Sequence, residues 1–439
     1  MRYSLISVLM FPVALFFILR EPVIQDFMAR SASVYVSEKL GTEIRIGNLR
    51  MNIFLDVILK NVQIKDYKGH KLLEAEKMEL NVDKFNLGDR MLYLDKIFID
   101  QADFRLITYA GDTIPNLAYL INYFAAEEKP DDTLQPWRIN VKNLKVYDTD
   151  FHLLNENTAG GYESMDYSDL KVSDINVIID RIRLDADTVF FDINDLQAYE
   201  KSGFKLEKLK GNFTLSPAGM VADHLKIITE NSELAMNLRF EYDSFEAFKN
   251  FVEDVRIESV IGNSTLNLYD IGYFAPVLFE MNNELEISGT FSGPISAMRI
   301  RNFKFDYGNN TRLEANITLN GLPDVRETFS NFDIRALSTS ISDLERLKLP
   351  INGGSIDVPG QLELLGNVDI TGYFTGFYND FVSNAEFQTD IGHVLTDVAL
   401  KQNLKSDSVF YQGHLIAKDF EIGDFLSVDK YFGSLDLDA

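Results

Sequence analysis

Base, metal or nucleophile chemistry in this chain would have to start from its five histidines, His70, His152, His224, His393 and His414, and from its acids. The histidines are scattered, and none stands at a His-Glu-x-x-His or comparable ligand spacing. There is no cysteine, which removes thiolate metal sites, a Cys nucleophile, disulfides and lipoprotein acylation. No Gly-x-Ser-x-Gly elbow and no phosphate-cradling glycine loop occurs. The acidic pairs Asp131-Asp132 and Asp185-x-Asp187 lack the spacing of a calcium loop and read as solvated loops and strand ends. With no paired acid and base, the pattern points away from an enzyme and calls for neither cofactor nor metal.

The residues that do recur at a useful spacing are apolar. Leu234-x-Met236-x-Leu238-x-Phe240, Leu313-x-Ala315-x-Ile317-x-Leu319 and Val394–Leu400 alternate with polar residues. Alternation puts every second side chain on one face of a sheet, so one face is oily and the other wet. The chemistry open to such a face is transfer of hydrocarbon out of water. Leu234, Met236, Leu238, Leu313, Ile317, Leu319, Val394, Val398 and Leu400 are the candidate lining of a groove for acyl chains. A dry β-sandwich or β-helix core would produce the same alternation.

Strands must position these residues, and almost no amphipathic helix is available to cover them. The expected fold is mainly β, an elongated, twisted and repetitive antiparallel sheet behind an N-terminal transmembrane helix and an amphipathic helix. Residues 42–205 read as a first strand-rich segment, with turns at Asp66–Gly69 and Leu87–Asp89, a polar insertion at 127–136, and Trp137 as a local packing anchor. From 206 the chain repeats. Gly211, Gly289 and Gly372 stand 78 and 83 residues apart, each inside a matching Gly-x-aromatic-[Thr/Ser] segment. Each unit closes on a similar element, Leu268–Gly272, Ile341–Leu344 or Ile422–Phe425. The units run 206–284, 285–367 and 368–439, the last one truncated, and a unit of about 80 residues built of strands implies a stack.

The N-terminus is different in kind. Tyr3–Leu19 carries no charge and would span roughly 25 Å as a helix. Arg20-Glu21-Pro22 follows where a cleavage site would want small residues, so residues 1–21 read as an uncleaved anchor with Leu5, Ile6, Phe11, Leu15, Phe16 and Phe17 in the membrane. Residues 22–41 read as an amphipathic capping helix with Ile24, Phe27, Met28, Ser31, Val34, Tyr35 and Leu40 on its apolar side and Gly41 as its stop. The formal net charge of −25 repels nucleic-acid phosphates, so nucleic acid is excluded as a partner.

Pro22–Gln25, the stretch Val36-Ser37-Glu38-Lys39-Leu40-Gly41-Thr42-Glu43-Ile44, Val62–Asp66 and Leu72–Ala75 carry a resemblance. Together with the anchor, they resemble the start of the TamB family of Bacteroidota, inner-membrane subunits of the translocation and assembly module within the AsmA-like group. That group is similar to bridge-like lipid transfer proteins. The resemblance implies a single inner-membrane helix, a long sheet folded into an apolar groove, and work between inner and outer membranes. Members of the family are much longer, and the region that would meet an outer-membrane Omp85-type partner is not in this sequence.

Residues and resemblance lead to one expected function, an inner-membrane-anchored periplasmic protein that carries phospholipid acyl chains along its groove. The alternative is a scaffold for insertion of outer-membrane β-barrels.

Overall fold

The computed structural model describes residues 21–51, 56–86, 91–119, 138–158, 164–185, 187–348, 360–403, 408–426 and 433–439. Leu5, Ile6, Phe11, Leu15, Phe16 and Phe17 of the expected anchor, the 127–136 insertion and Trp137 lie outside them. Among the described residues no helix is long and apolar enough to cross a membrane.

The chain divides into two compact units, 1–216 and 217–439. In the first, helix α1 (Pro22–Leu40) precedes strands β1 (Ile44–Met51), β2 (Asp56–Lys65), β3 (Lys71–Asn86), β4 (Met91–Thr108), β5 (Arg138–Asn155), β6 (Asp169–Asp185), β7 (Thr188–Glu200) and β8 (Lys205–Ser216). Each strand pairs with the next. The expectation of a wholly antiparallel sheet needs one correction. β4 and β5 run parallel, Met91 opposite Arg138 and Thr108 opposite Asn155. Parallel neighbours cannot be joined by a two-residue hairpin, and residues 109–137 stand between these two.

Acid-led turns close the hairpins. Asp66 Oδ1 accepts from the N–H groups of Lys68 and His70, both at 2.9 Å, while Gly69 takes a φ of +82°. Glu200 Oε2 accepts from the Ser202 N–H at 2.8 Å, ahead of Gly203 at φ +106°. A carboxylate that satisfies turn amides, followed by a residue free to take positive φ, is what these Asp/Glu-x-x-Gly stretches encode.

α1 opens on Pro22 in its first turn and ends at Gly41 in the left-handed region. Its covered side matches the one the sequence suggests only at Ile24 and Met28. Ile24, Met28, Ala29, Ser33, Val36 and Ser37 are covered, whereas Phe27, Ser31, Val34 and Tyr35 are exposed. Among these, the small residues Ala29, Ser33 and Ser37 let the helix come close to the edge of β1. There the Ser33 hydroxyl accepts from the Ile46 N–H at 2.9 Å and the Ser37 hydroxyl from the Ile44 N–H at 2.8 Å.

The second unit is a meander of β9 (Gly219–Thr229), β10 (Glu233–Glu241), β11 (Arg256–Asn267), β12 (Glu284–Gly293), β13 (Ala297–Tyr307), β14 (Thr311–Asn320), β15 (Phe329–Ser340), β16 (Asn367–Phe377), β17 (Asp380–Thr389), β18 (Gly392–Asn403), β19 (Ser408–Glu421) and β20 (Ser434–Asp438). All consecutive pairs in it are antiparallel. One-turn helices follow β11 (Leu268–Gly272), β15 (Ile341–Arg346) and β19 (Ile422–Phe425).

The first two of these helices hold a buried aspartate against an earlier hairpin. Asp270 accepts from Asn231 Nδ2 at 2.8 Å and from the Ser232 hydroxyl at 2.6 Å in the β9–β10 turn. Asp343 accepts from the Asn310 N–H at 2.7 Å and the Thr311 hydroxyl at 3.2 Å in the β13–β14 turn, and from Arg346 at 2.9 Å. Asp424, in the third helix, is exposed. The same two hairpins carry a matching bulge. His224 and Asn302 sit at φ +52° and +49°, and their N–H groups donate to Asn237 Oδ1 and Asn316 Oδ1 at 2.8 and 3.1 Å. Such bulges bend and twist a strand locally.

Candidate functional site

Groups capable of acid–base work are present but dispersed. His152 pairs with Asp169 at 2.6 Å, His393 with Glu386 at 2.7 Å, and His414 with Asp438. No two histidines converge, and among the described residues no set of three or more His, Asp or Glu side chains is placed to hold a metal. The nearest thing to a relay runs from the exposed His70 to the buried Tyr109, Asp66 and Asn116. His70 Nδ1 lies 2.8 Å from the Tyr109 hydroxyl, which donates to Asp66 Oδ2 at 2.5 Å, and Asn116 Nδ2 donates to the same oxygen at 3.1 Å. Burial alone would raise the Asp66 pKa. The bonds from Tyr109 and Asn116 and the turn amides overcome it and hold the carboxyl below its ordinary value. Burial and the bond to Asp66 raise the Tyr109 phenol. The arrangement ties the β2–β3 turn to the end of β4, with every member already engaged by the protein.

The extended feature is the apolar face. In the second unit the register aligns one row across eleven strands: Ala222, Leu238, Ser259, Phe291, Ile300, Ile317, Phe332, Phe374, Ser383, Val398 and Gly413. A second row, four residues earlier along β14, runs Ile287, Phe305, Leu313, Leu337, Ile370, Phe387, Val394, Ala417 and Leu437. Between strands these rows are bridged by aromatic contacts such as Phe291–Phe303 and Phe332–Phe374, with ring centroids 6.2 and 5.8 Å apart. Neither row contains a charged residue.

The nine candidate lining residues fall on this one face. Leu238, Ile317 and Val398 belong to the first row, and Leu313 and Val394 to the second. Leu319 and Leu400 share a further row through Ser330, Gly376 and Phe381. Met236 pairs with Leu225 and Ile261, and Leu234 with Ile227. Of the nine, Ile317 is buried at 6% exposure and the other eight are half-buried. The side chains packed around Ile300 and Ile317 are Met298, Ala315, Ile257, Phe291, Phe303, Leu313, Leu319 and Phe332. All of them come from the consecutive strands β11–β15, so the cover is lateral, from strand neighbours on the same face. A sandwich would instead put inward side chains of a second sheet over them.

The opposite face is wet. Arg299, Arg301, Lys304 and Asp306 of β13 are exposed, and Lys304 reaches Glu314 across to β14 at 2.8 Å. That bond lowers the Glu314 pKa and raises the Lys304 pKa.

Sequence reasoning named no lining residue in the first unit, yet the same construction occurs there. One row runs Leu49, Leu59, Met78, Ile99, Val146, Val177 and Leu196; another runs Met51, Val57, Leu80, Ile97, Leu144, Ile179, Ile193 and Gly211. The alternation in β1–β4 is as regular as that in β10, so the signal was available.

No protein family, curated protein or solved structure matches the chain.

Proposed function

We propose that this protein carries phospholipids, holding their acyl chains on the apolar face while the charged face meets water. The observation that carries the reading is the uncharged eleven-strand row from Ala222 to Gly413, half-buried along most of its length. Each methylene moved from water onto such a surface contributes about 0.8 kcal/mol, so a pair of lipid tails is strongly favoured there. A continuous row also lets tails exchange one contact for the next without crossing a polar barrier. In this reading the sheet folds around its oily side as a groove. The run Tyr3–Leu19 anchors the chain in an inner membrane, and the bulk lies in a periplasm, as in the TamB and AsmA-like proteins the sequence resembles.

The alternative, a template for β-barrel assembly, needs a free strand edge. One specific edge speaks against it: the amides of Ile44 and Ile46 on β1 are occupied by Ser37 and Ser33.

The test is to extract the purified full chain with organic solvent and identify phospholipid by mass spectrometry, alongside photo-crosslinking from Met236 and Ile317 in cells. Lipid adducts at both positions are expected. Adducts to protein alone, with no lipid in the extract, would sink the proposal.

A further inference from the structure

α1 has two sides to account for, and β1 covers one of them. Its small-residue side lies on β1. Around the other side Val23, Phe27 and Val34 fall within about 40° of one another at 100° per residue, and they are 77%, 68% and 58% exposed. Tyr35, 64% exposed, lies about 80° further round the helix from Phe27, and Arg30 is exposed within the stripe itself. A helix already held by β1 has no need of this stripe for folding, and leaving it in water forfeits the gain of burial.

What precedes the helix identifies the occupant. The uncharged run Tyr3–Leu19 ends two residues, Arg20 and Glu21, before α1 begins at Pro22. If that run enters a bilayer, α1 begins within about 10 Å of the end of the run, the reach of three residues. We propose that the Val23, Phe27 and Val34 stripe lies on that lipid surface, with Tyr35 at the headgroup level and Arg30 reaching past the stripe to headgroup phosphates. α1 then acts as a bracket. One side rests on the membrane and the other holds the edge of β1, so the first strands of the apolar face start at the lipid source. The inference rests on the membrane anchor in the reading above.

The chain has no cysteine, so single labels can be placed cleanly. The full chain would be reconstituted into vesicles of phosphatidylethanolamine with a minority of phosphatidylglycerol. An environment-sensitive fluorophore would sit at Phe27→Cys, at Val34→Cys, or at Arg301→Cys on the wet face. The expected result is a several-fold emission rise at positions 27 and 34, quenched by spin-labelled lipid, with no change at 301. Vesicle-bound protein whose labels at 27 and 34 stay in water would overturn the inference and leave the anchor standing. Labels that brighten but resist quenching would also overturn it, because protein would then cover the stripe. Failure to float with vesicles at all would remove the anchor and the bracket together.

Discussion

Ser37 and Ile44 are paired as two strand residues would be. The Ser37 hydroxyl accepts from the Ile44 N–H at 2.8 Å and donates to the Ile44 carbonyl at 3.2 Å. One turn earlier, Ser33 accepts from the Ile46 N–H and returns its own proton to the Ala29 carbonyl at 2.8 Å. The geometry matches because four residues of helix rise about 6 Å and two residues of strand about 6.6 Å. A helix thereby closes a sheet edge that would otherwise offer free amides to another chain.

Ser37→Ala leaves both Ile44 groups without a partner at a buried position, at a cost of about 1–3 kcal/mol. Hydrogen exchange at the Ile44 amide should rise in proportion, with a smaller rise at Ile46. Ser33→Ala with Ser37→Ala should add self-association to the loss of stability, read by sedimentation. Unchanged exchange at both amides would show that the hydroxyls are bystanders.

Asp343 should be among the costliest single residues to lose. It has no exposed surface and accepts from Asn310, Thr311 and Arg346. Removing the acceptor strands buried donors in the β13–β14 turn, so Asp343→Ala should cost roughly 3 kcal/mol. Asp424→Ala, at the corresponding but exposed position, should fall within about 0.5 kcal/mol of the parent. Denaturant midpoints of the two variants check the contrast.

Acid should weaken the fold through a defined set of carboxyls. Asp169 is pushed down to about 2, first by the bond from Lys201 at 2.7 Å, against burial that pulls the other way, and then by His152 and Lys171. Asp343 moves in the same direction, with burial opposing and the Asn310, Asn309 and Thr311 bonds and Arg346 prevailing. A carboxyl whose folded pKa lies below its unfolded value contributes stability above the unfolded value and loses it as pH falls through the folded one. For Asp169 that window runs from the ordinary 3.8 down to about 2. Thermal midpoints should therefore drop steeply below about pH 4, and Asp169→Asn should shallow that drop. An acid limb identical to the parent's would remove Asp169 from the account.

The strands, the oily face and the closing elements were legible because each rests on a local pattern. Period-two alternation decides which face a side chain takes, and it put Leu234 through Leu400 on one face without knowledge of pairing. The recurrence of Asp270 and Asp343 in similar short segments likewise announced a common element, though not that its acid reaches back to an earlier hairpin. The parallel β4–β5 pair was not legible, because alternation is the same in either direction and the connecting residues 109–137 carry no directional mark. α1 was legible in extent and at Ile24 and Met28, but not in the rest of its covered side, for a different reason. Hydropathy assigns Phe27 and Val34 inward, whereas the contact with β1 is decided by hydroxyls and small side chains that hydropathy scores as neutral.

A charge on the oily row should block its use wherever along the row it falls. An unpaired carboxylate resists contact with hydrocarbon by several kcal/mol. Leu238 on β10 and Val398 on β18 stand on one row, far apart in sequence and both half-buried, so each can be changed without emptying the packed cluster around Ile317. Leu238→Asp and Val398→Asp should each reduce copurifying phospholipid several-fold. Thr318→Asp, one residue from Ile317 and on the wet face opposite Asn331, should leave it unchanged. Melting curves would confirm that all three variants fold. If folded Leu238→Asp and Val398→Asp proteins yielded as much lipid as the parent, the oily row would not be the carrier. A template for β-barrel assembly predicts that very tolerance, so the pair of variants separates the two readings directly.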